Sequence, residues 1–321
     1  MAVCLEMGVV VAARDFELLV FALPKLVNVQ SSPGPRLLRR LGSRFSTRPR
    51  HDNFRDLFGS LGWMVFFTES DMSSRLLLVT DVGRHAVHVV DVANEVHGGY
   101  VATPGSIDGP RGVATRGSLV AVSAWGEDHD KEGEVHLFEG TVGTGWIRKR
   151  VLARGQLRQP FGLRFTADGA GVVVAEGQGG GHIARVSVVA GTDSVARCRV
   201  TEDGDGDSCS DVEKCKGGWL TACSGGDDVK YVGMDGRAAL GQCGEPLFRP
   251  VALALVPGLG LVVREKTAGR LQFFATPDIM AMASMSAFRL GWLITVFRGS
   301  LCLSLHLAPS TRGSKRTHVA M

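Results

Sequence analysis

The sequence predicts an all-β protein, a β-propeller of about six blades, and three observations point to it. A short apolar, β-branched run recurs along the chain. A second run of alternating character follows each copy. The 42 glycines exceed the usual share of roughly 7% and suit many short strands joined by tight turns.

The recurrent runs are GVVVA at 8–12, LLLVT at 76–80, LVAVS at 119–123, GVVVA at 171–175, GWLTA at 218–222 and GLVVR at 260–264. After a longer first interval, they repeat at roughly the 40–50 residues of a propeller blade. The second runs are ELLVFAL at 17–23, HAVHVVDV at 85–92, EVHLF at 134–138, HIARVSVV at 182–189, DVKYVG at 228–233 and RLQFFA at 270–275. Valine and aromatic residues hold one parity there, while His, Arg, Lys and Gln hold the other, the period of a half-buried strand. In three units an earlier strand opens with proline: PRGVAT at 110–115, PFGLRF at 160–165 and PVALAL at 250–255. Proline cannot donate to a ladder, so it belongs at the first residue of a strand. An acidic residue closely follows the central run in four units, as Asp15, Asp81, Glu176 and Glu265. A carboxylate there can accept N–H groups of the following turn. Its repetition at one structural position points to turn chemistry rather than catalysis. A β-sandwich or a parallel β-helix would space its strands more closely.

The order P-x-G-V-A-x, then V-x-V-A-[DE], then a basic residue or His with x-V-x-V-F, resembles the NHL-repeat family. The best copies are 159–192 and 248–278; those at 75–93 and 109–141 are recognisable, and those at 8–24 and 211–236 are degenerate. The resemblance implies three to four antiparallel strands per unit, closed around a central channel. It also implies a protein-interaction scaffold, of the substrate-recognition type found in ubiquitin-ligase-associated NHL proteins. The sequence carries neither a RING nor a B-box zinc module, so ligase chemistry is not expected of it. Two alternatives follow from the same fold: an RNA-binding NHL propeller, and a metal-dependent propeller hydrolase or lyase with His, Asp and Glu lining the channel.

The propeller is expected over 1–278, interrupted by a Ser/Pro/Arg-rich insertion loop at 31–74. Residues 279–309 form a helical or apolar C-terminal extension, with a short helix over IMAMASMSAFRL at 279–290. The polar, basic end 310–321 is expected to be disordered. The apolar stretch 290–307 approaches the length of a membrane span, but Arg298 in its middle and Arg289 before it argue against one. The first copy begins mid-unit, so either the N- and C-terminal strands pair to close the ring or the chain is an incomplete copy of a longer protein.

The net charge of +4 is too small to indicate a polyanionic partner. Arginine dominates the 36 basic residues, but it is scattered, and a coding-composition bias is the plainer account. The seven cysteines form no C-x-x-C pair and follow no secretory signal, which suggests buried thiols in a reducing, cytoplasmic setting.

Four groups could carry chemistry. Asp203, Asp205, Asp207 and Asp211 match calcium-loop spacing, yet Ser208 stands where Gly is required and Lys214 where Glu is required. A solvated acidic loop is the plainer reading. Cys198, Cys209, Cys215, Cys223 and Cys243 lie too far apart for a structural zinc site, and Cys215 and Cys223 fit neighbouring strands of one blade. His85, His88, His97, His129, His136 and His182 occur without a G-x-S-x-G, H-E-x-x-H or P-loop motif, and His88 and His136 fall on outer strands, away from the channel. Arg36, Arg39, Arg40, Arg44, Arg48 and Arg50 could meet RNA, but only Phe45 and Phe54 offer stacking nearby. No catalytic, cofactor or metal residue is assigned. The expected partner is a protein, with RNA at the 36–50 segment as the alternative.

Overall fold

A computed structural model describes residues 1–4, 9–14, 17–22, 37–41, 57–67, 76–125, 132–178, 181–189, 194–200, 208–233, 238–239, 247–256, 260–266, 270–275 and 305–306. These residues are strands and their connections, with no helix among them. Four consecutive strands make each sheet. The first sheet holds β1 (Ala2–Cys4), β2 (Val9–Arg14), β3 (Glu17–Ala22) and β4 (Leu37–Leu41). The second holds β5 (Leu61–Phe67), β6 (Leu76–Asp81), β7 (Ala86–Asp91) and β8 (Val96–Ala102). The third holds β9 (Pro110–Arg116), β10 (Leu119–Ala124), β11 (Glu132–Thr141) and β12 (Gly145–Arg158). In the fourth are β13 (Pro160–Phe165), β14 (Gly171–Glu176), β15 (His182–Ser187) and β16 (Val195–Arg199). In the fifth are β17 (Cys209–Cys215), β18 (Gly218–Cys223), β19 (Asp228–Gly233) and β20 (Ala238–Ala239). The sixth comprises β21 (Pro250–Val256), β22 (Gly260–Glu265), β23 (Arg270–Ala275) and β24 (Leu305–His306).

The arrangement is a β-propeller. The first strand of each sheet touches the first strand of the next, and β1 also meets β21. A separate apolar cluster fills each junction between sheets. Leu77, Val79 and Val90 meet Val11, Leu18 and Val20 at the first. The junction of the sixth sheet with the first uses smaller side chains, Ala252, Ala254, Val256 and Val262 against Met1 and Val10. Second strands are covered on both faces, and β6, β14 and β18 are buried from end to end. That double burial is why their sequences are continuous apolar runs rather than alternating ones.

Several expectations need correction. The supposed insertion at 31–74 supplies two strands, β4 and β5. β5 (LGWMVFF) opens without the proline that marks β9, β13 and β21, and β4 (LLRRL) is a largely exposed edge with loop-like composition. The polar parity of the third strands does not face water in three sheets, although Arg185 of β15 is exposed. His88, Lys230 and Gln272 are buried, because the neighbouring sheet covers that face too. Each sits beside an acid of its own sheet: Asp81, Asp228 and Glu265 respectively. Among the described strands no sheet mixes N- and C-terminal ones, and the first and last sheets meet face to face. The helix expected at 279–290 and the tail at 310–321 lie outside the described residues.

Near the channel the sheets are joined by side-chain hydroxyls. Five of the six pairings between first and second strands carry a register shift close to the start of the first strand. At two of these, a second-strand hydroxyl fills the irregularity and reaches the next sheet. Thr80 Oγ1 accepts from Trp63 N (2.8 Å) and lies 2.7 Å from the Arg111 carbonyl oxygen of the third sheet. Ser123 Oγ accepts from Gly112 N (2.7 Å) and donates to the Phe161 carbonyl of the fourth sheet (2.5 Å). The approach is close enough that a Cβ on Gly112 would run into the Phe161 carbonyl oxygen. Gly112→Ala should therefore cost about 1–3 kcal/mol through overpacking. Ser123→Ala, which strips partners from buried backbone groups, should cost about 1–3 kcal/mol. Because both act on one joint, the double variant should lose less than the sum of the two. Urea unfolding measures all three, and an unchanged midpoint for Gly112→Ala would contradict the close approach.

Candidate functional site at the channel mouth

The first strands begin, and the second strands end, at one end of the ring, and two side-chain groups gather on this frame. The first is aromatic and cationic. Trp63 enters from β5, Arg111 from β9 and Phe161 from β13, while Trp125 follows the last residue of β10. Thr80 holds the Trp63 and Arg111 backbones together. The Trp125 indole donates to the Pro160 carbonyl (2.8 Å), which fixes its ring across the junction to the fourth sheet. The Arg111 guanidinium carbon lies 3.6 Å from the centroid of Trp125 and 6.0 Å from that of Phe161. Phe161 is 5.1 Å from Trp125, edge to face, and 5.5 Å from Trp63. Gly177 leaves room for the Phe161 ring, which a Cβ there would strike.

Donors outnumber acceptors in this group. Arg111 has neither an ion pair nor a side-chain hydrogen bond among the described residues, and burial lowers its pKa from the usual arginine value. Its Nε and the Trp63 indole nitrogen are both enclosed without a partner. The terminal guanidinium nitrogens are not among these enclosed atoms.

The second group is ionic. Arg164 of β13 donates from Nε and NH2 to Glu213 of β17, at 3.0 and 2.8 Å, and lies 3.7 Å from Asp211. Asp211 also accepts from Leu253 N of β21 and from Val212 N, each at 2.9 Å, tying three first strands together. Burial raises the carboxyls of Asp211 and Glu213, against the pull of Arg164. Burial alone would lower Arg164, but the two acids outweigh it and hold the guanidinium above its ordinary value. Asp211 takes up the space above Gly162, where a Cβ would overlap its carboxylate. These saturated partnerships read as a clamp between strands.

The acids repeated along the sequence are latches. Asp81, Glu176 and Glu265 end second strands and accept from the backbone leading into the first strand of their own sheet: Gly59 and Ser60 N, Arg158 N and Phe248 N. Asp81 also takes Arg84 N of the turn that follows it. The bonds thus run mainly to the preceding segment, a connection invisible in local spacing. Asp15 lies outside the described residues.

The remaining sequence candidates do not assemble into a site. Asp211 is on a buried first strand, while Asp203, Asp205 and Asp207 lie outside the described residues. Cys215 and Cys223 stand on neighbouring strands as expected, and Cys209 lies opposite Cys223. Cys209, Cys215 and Cys223 are free thiols. His88 bridges Asp81 and His97 at 3.2 and 3.1 Å, His136 meets Glu134 at 2.8 Å, and His85 is 3.5 Å from Asp108. Arg39 is bonded to Glu95 and the Val92 carbonyl, and Arg40 to Glu17; Arg36, Arg44, Arg48 and Arg50 lie outside the described residues. No group of three metal-ligating side chains occurs among the described residues. Among the described residues no helix is long and apolar enough to cross a membrane. A cavity of about 400 Å³ opens between the fourth and fifth sheets, with Val173, Ile183, Trp219 and Val232 among its walls and Arg185 and Lys214 at its edge.

No protein-family model matches the chain, and no curated protein matches it. Solved structures do match in fold. A nidogen/laminin complex chain superposes with a TM-score of 0.58 at 12% identity, over 84% of this chain and 89% of that one. A streptogramin B lyase gives 0.53 at 12%, over 86% and 79%. A protein from Lactobacillus plantarum gives 0.52 at 12%, over 85% and 78%. At such identity the likeness concerns the propeller fold alone.

The latch in the second sheet makes stability depend on pH. Burial pushes the Asp81 carboxyl up, but hydrogen bonds from His88, Gly59 N and Ser60 N prevail and hold it below its ordinary 3.8. Its contribution is whole above that value and is lost as pH falls through the lowered folded one. Burial, reinforced by the charge of His88, brings His97 from 6.5 to about 4. Between those values the unfolded chain binds a proton that the folded protein refuses, so stability declines as pH drops from 6.5 towards 4. His97→Gln should flatten that limb, and Asp81→Asn the steeper one below it, in chemical unfolding at stepped pH. An unaltered slope between 6.5 and 4 in His97→Gln would rule out the histidine's part.

Proposed function

We propose that the chain is a six-bladed, NHL-type propeller serving as a protein-interaction scaffold, in the manner of the substrate-recognition modules of ubiquitin-ligase-associated NHL proteins. The observation that carries this reading is the channel-mouth group, in which the Arg111 guanidinium carbon lies 3.6 Å over the Trp125 ring with Phe161 and Trp63 nearby. Tryptophan and arginine are the residue types that dominate binding hot spots, above all when rigidly held. Here each is fixed by strand backbone or by a carbonyl of the adjoining sheet. The repeat order P-x-G, apolar run and terminal acid supports the NHL assignment, and the free thiols support a reducing, cytoplasmic setting. Arg39 and Arg40 are engaged by carboxylates of the protein itself, which favours a protein partner over RNA at that segment.

The test is capture of partners on the immobilised protein, with Arg111→Glu beside the wild type and Lys214→Glu as a control at the inter-sheet cavity. Retained proteins should survive RNase, high salt and chelator, should be lost with Arg111→Glu, and should persist with Lys214→Glu. Loss of every partner on RNase treatment would establish the RNA-binding alternative instead, and loss on chelation the metal-dependent one.

A further inference from the structure

We infer that the edge of the Arg111 guanidinium at the channel mouth is a receptor for a carboxylate borne on an aromatic or apolar body. The inference rests on reading this end of the ring as the binding face, and it adds the chemistry that the face selects. The Arg111 guanidinium has one side taken by Trp125, 3.6 Å from the ring centroid, with Phe161 to the flank at 6.0 Å. Its terminal nitrogens, on the in-plane edge, have no partner among the described residues. Two parallel N–H groups on a planar cation match the two oxygens of a carboxylate.

The surroundings narrow the ligand further. Elsewhere in the ring, cations near acids are matched within the fold: the largely enclosed Arg164 has Glu213 and Asp211, and the more exposed Arg197 has Glu176. Among the described residues no acid meets the desolvation of the Arg111 guanidinium, so a ligand that supplies one adds an attraction these residues leave open. The enclosed Trp63 N–H and Arg111 Nε add to the local excess of donors. One guanidinium balances one negative charge. That favours a monoanionic carboxylate over a phosphate dianion, whose second charge would find no further cation in this group among the described residues. Phe161, 6.0 Å from the guanidinium carbon, and Trp63, 5.5 Å from Phe161, give the ligand's body an apolar surface to lie on.

Phenylacetate is the probe, with phenylacetamide as its uncharged counterpart and inorganic phosphate as the competing oxyanion, all at fixed ionic strength. The chain has five tryptophans, so the indole N–H region of a ¹H–¹⁵N spectrum is readable, and Trp125→Phe identifies the Trp125 signal. Phenylacetate should shift that signal saturably, with a Kd of about 1 mM. Phenylacetamide and phosphate should bind at least about tenfold more weakly, a loss of the charge-assisted pair. Arg111→Met should remove the response. Should that variant lose its spectral dispersion, Arg111→Lys decides, because it keeps the charge and lacks the fork, and should weaken binding several-fold. Equal midpoints for phenylacetate and phenylacetamide, tighter binding of phosphate, or undiminished binding in Arg111→Lys would overturn the inference. Partner capture that still depends on Arg111 while phenylacetate has no effect would sink the carboxylate assignment and leave the recognition reading standing.

Discussion

Each sheet of this protein is apolar on both faces, and a sheet one strand-layer thick cannot bury both without a neighbour on either side. The rest of the structure follows from that constraint. Clusters of valine, leucine and alanine fill the junctions rather than the sheets, and the last junction brings Met1 and Val10 against Ala252, Ala254 and Val262. A row of such sheets has an uncovered face at each end until it curves round on itself. The same constraint places polar side chains such as His88 and Gln272 in the interior, where each needs an acid to bond.

The sequence was legible where burial leaves a one-dimensional trace. Second strands were plain because both faces are covered, and third strands because their valines alternate with longer polar residues. First strands could be read only where proline marks the start, at Pro110, Pro160 and Pro250. β5 and β17 lack it, and β17 (CSDVEKC) carries acids that look solvated until Arg164 is placed beside them. Fourth strands were hidden for the opposite reason. On an exposed edge such as β12 or β4, little selects for apolar residues, so composition there resembles a loop.

The candidate site was not legible, because its members come from three sheets. One signal was present. In the third unit Ala124 stands opposite Pro110, where Asp81, Glu176 and Glu265 stand opposite Leu61, Pro160 and Pro250. The unit thus lacks its latching acid, and the next residue, Trp125, holds the neighbouring sheet through its indole instead. A break in a repeated structural device marked the place where the frame does something else. The ionic clamp of Arg164, Asp211 and Glu213 shows the contrary case, a charged cluster whose every member is already bonded.

Gly112 and Gly162 give the ring a gauge. At each, the space a methyl group would fill is taken by a group from the adjoining sheet: the Phe161 carbonyl at one, the Asp211 carboxylate at the other. The distance between adjacent inner strands is therefore fixed by a missing side chain rather than by the length of the connecting loops. The bore of the propeller is in this sense set residue by residue, and loops at its rim could change in length and composition without altering its width.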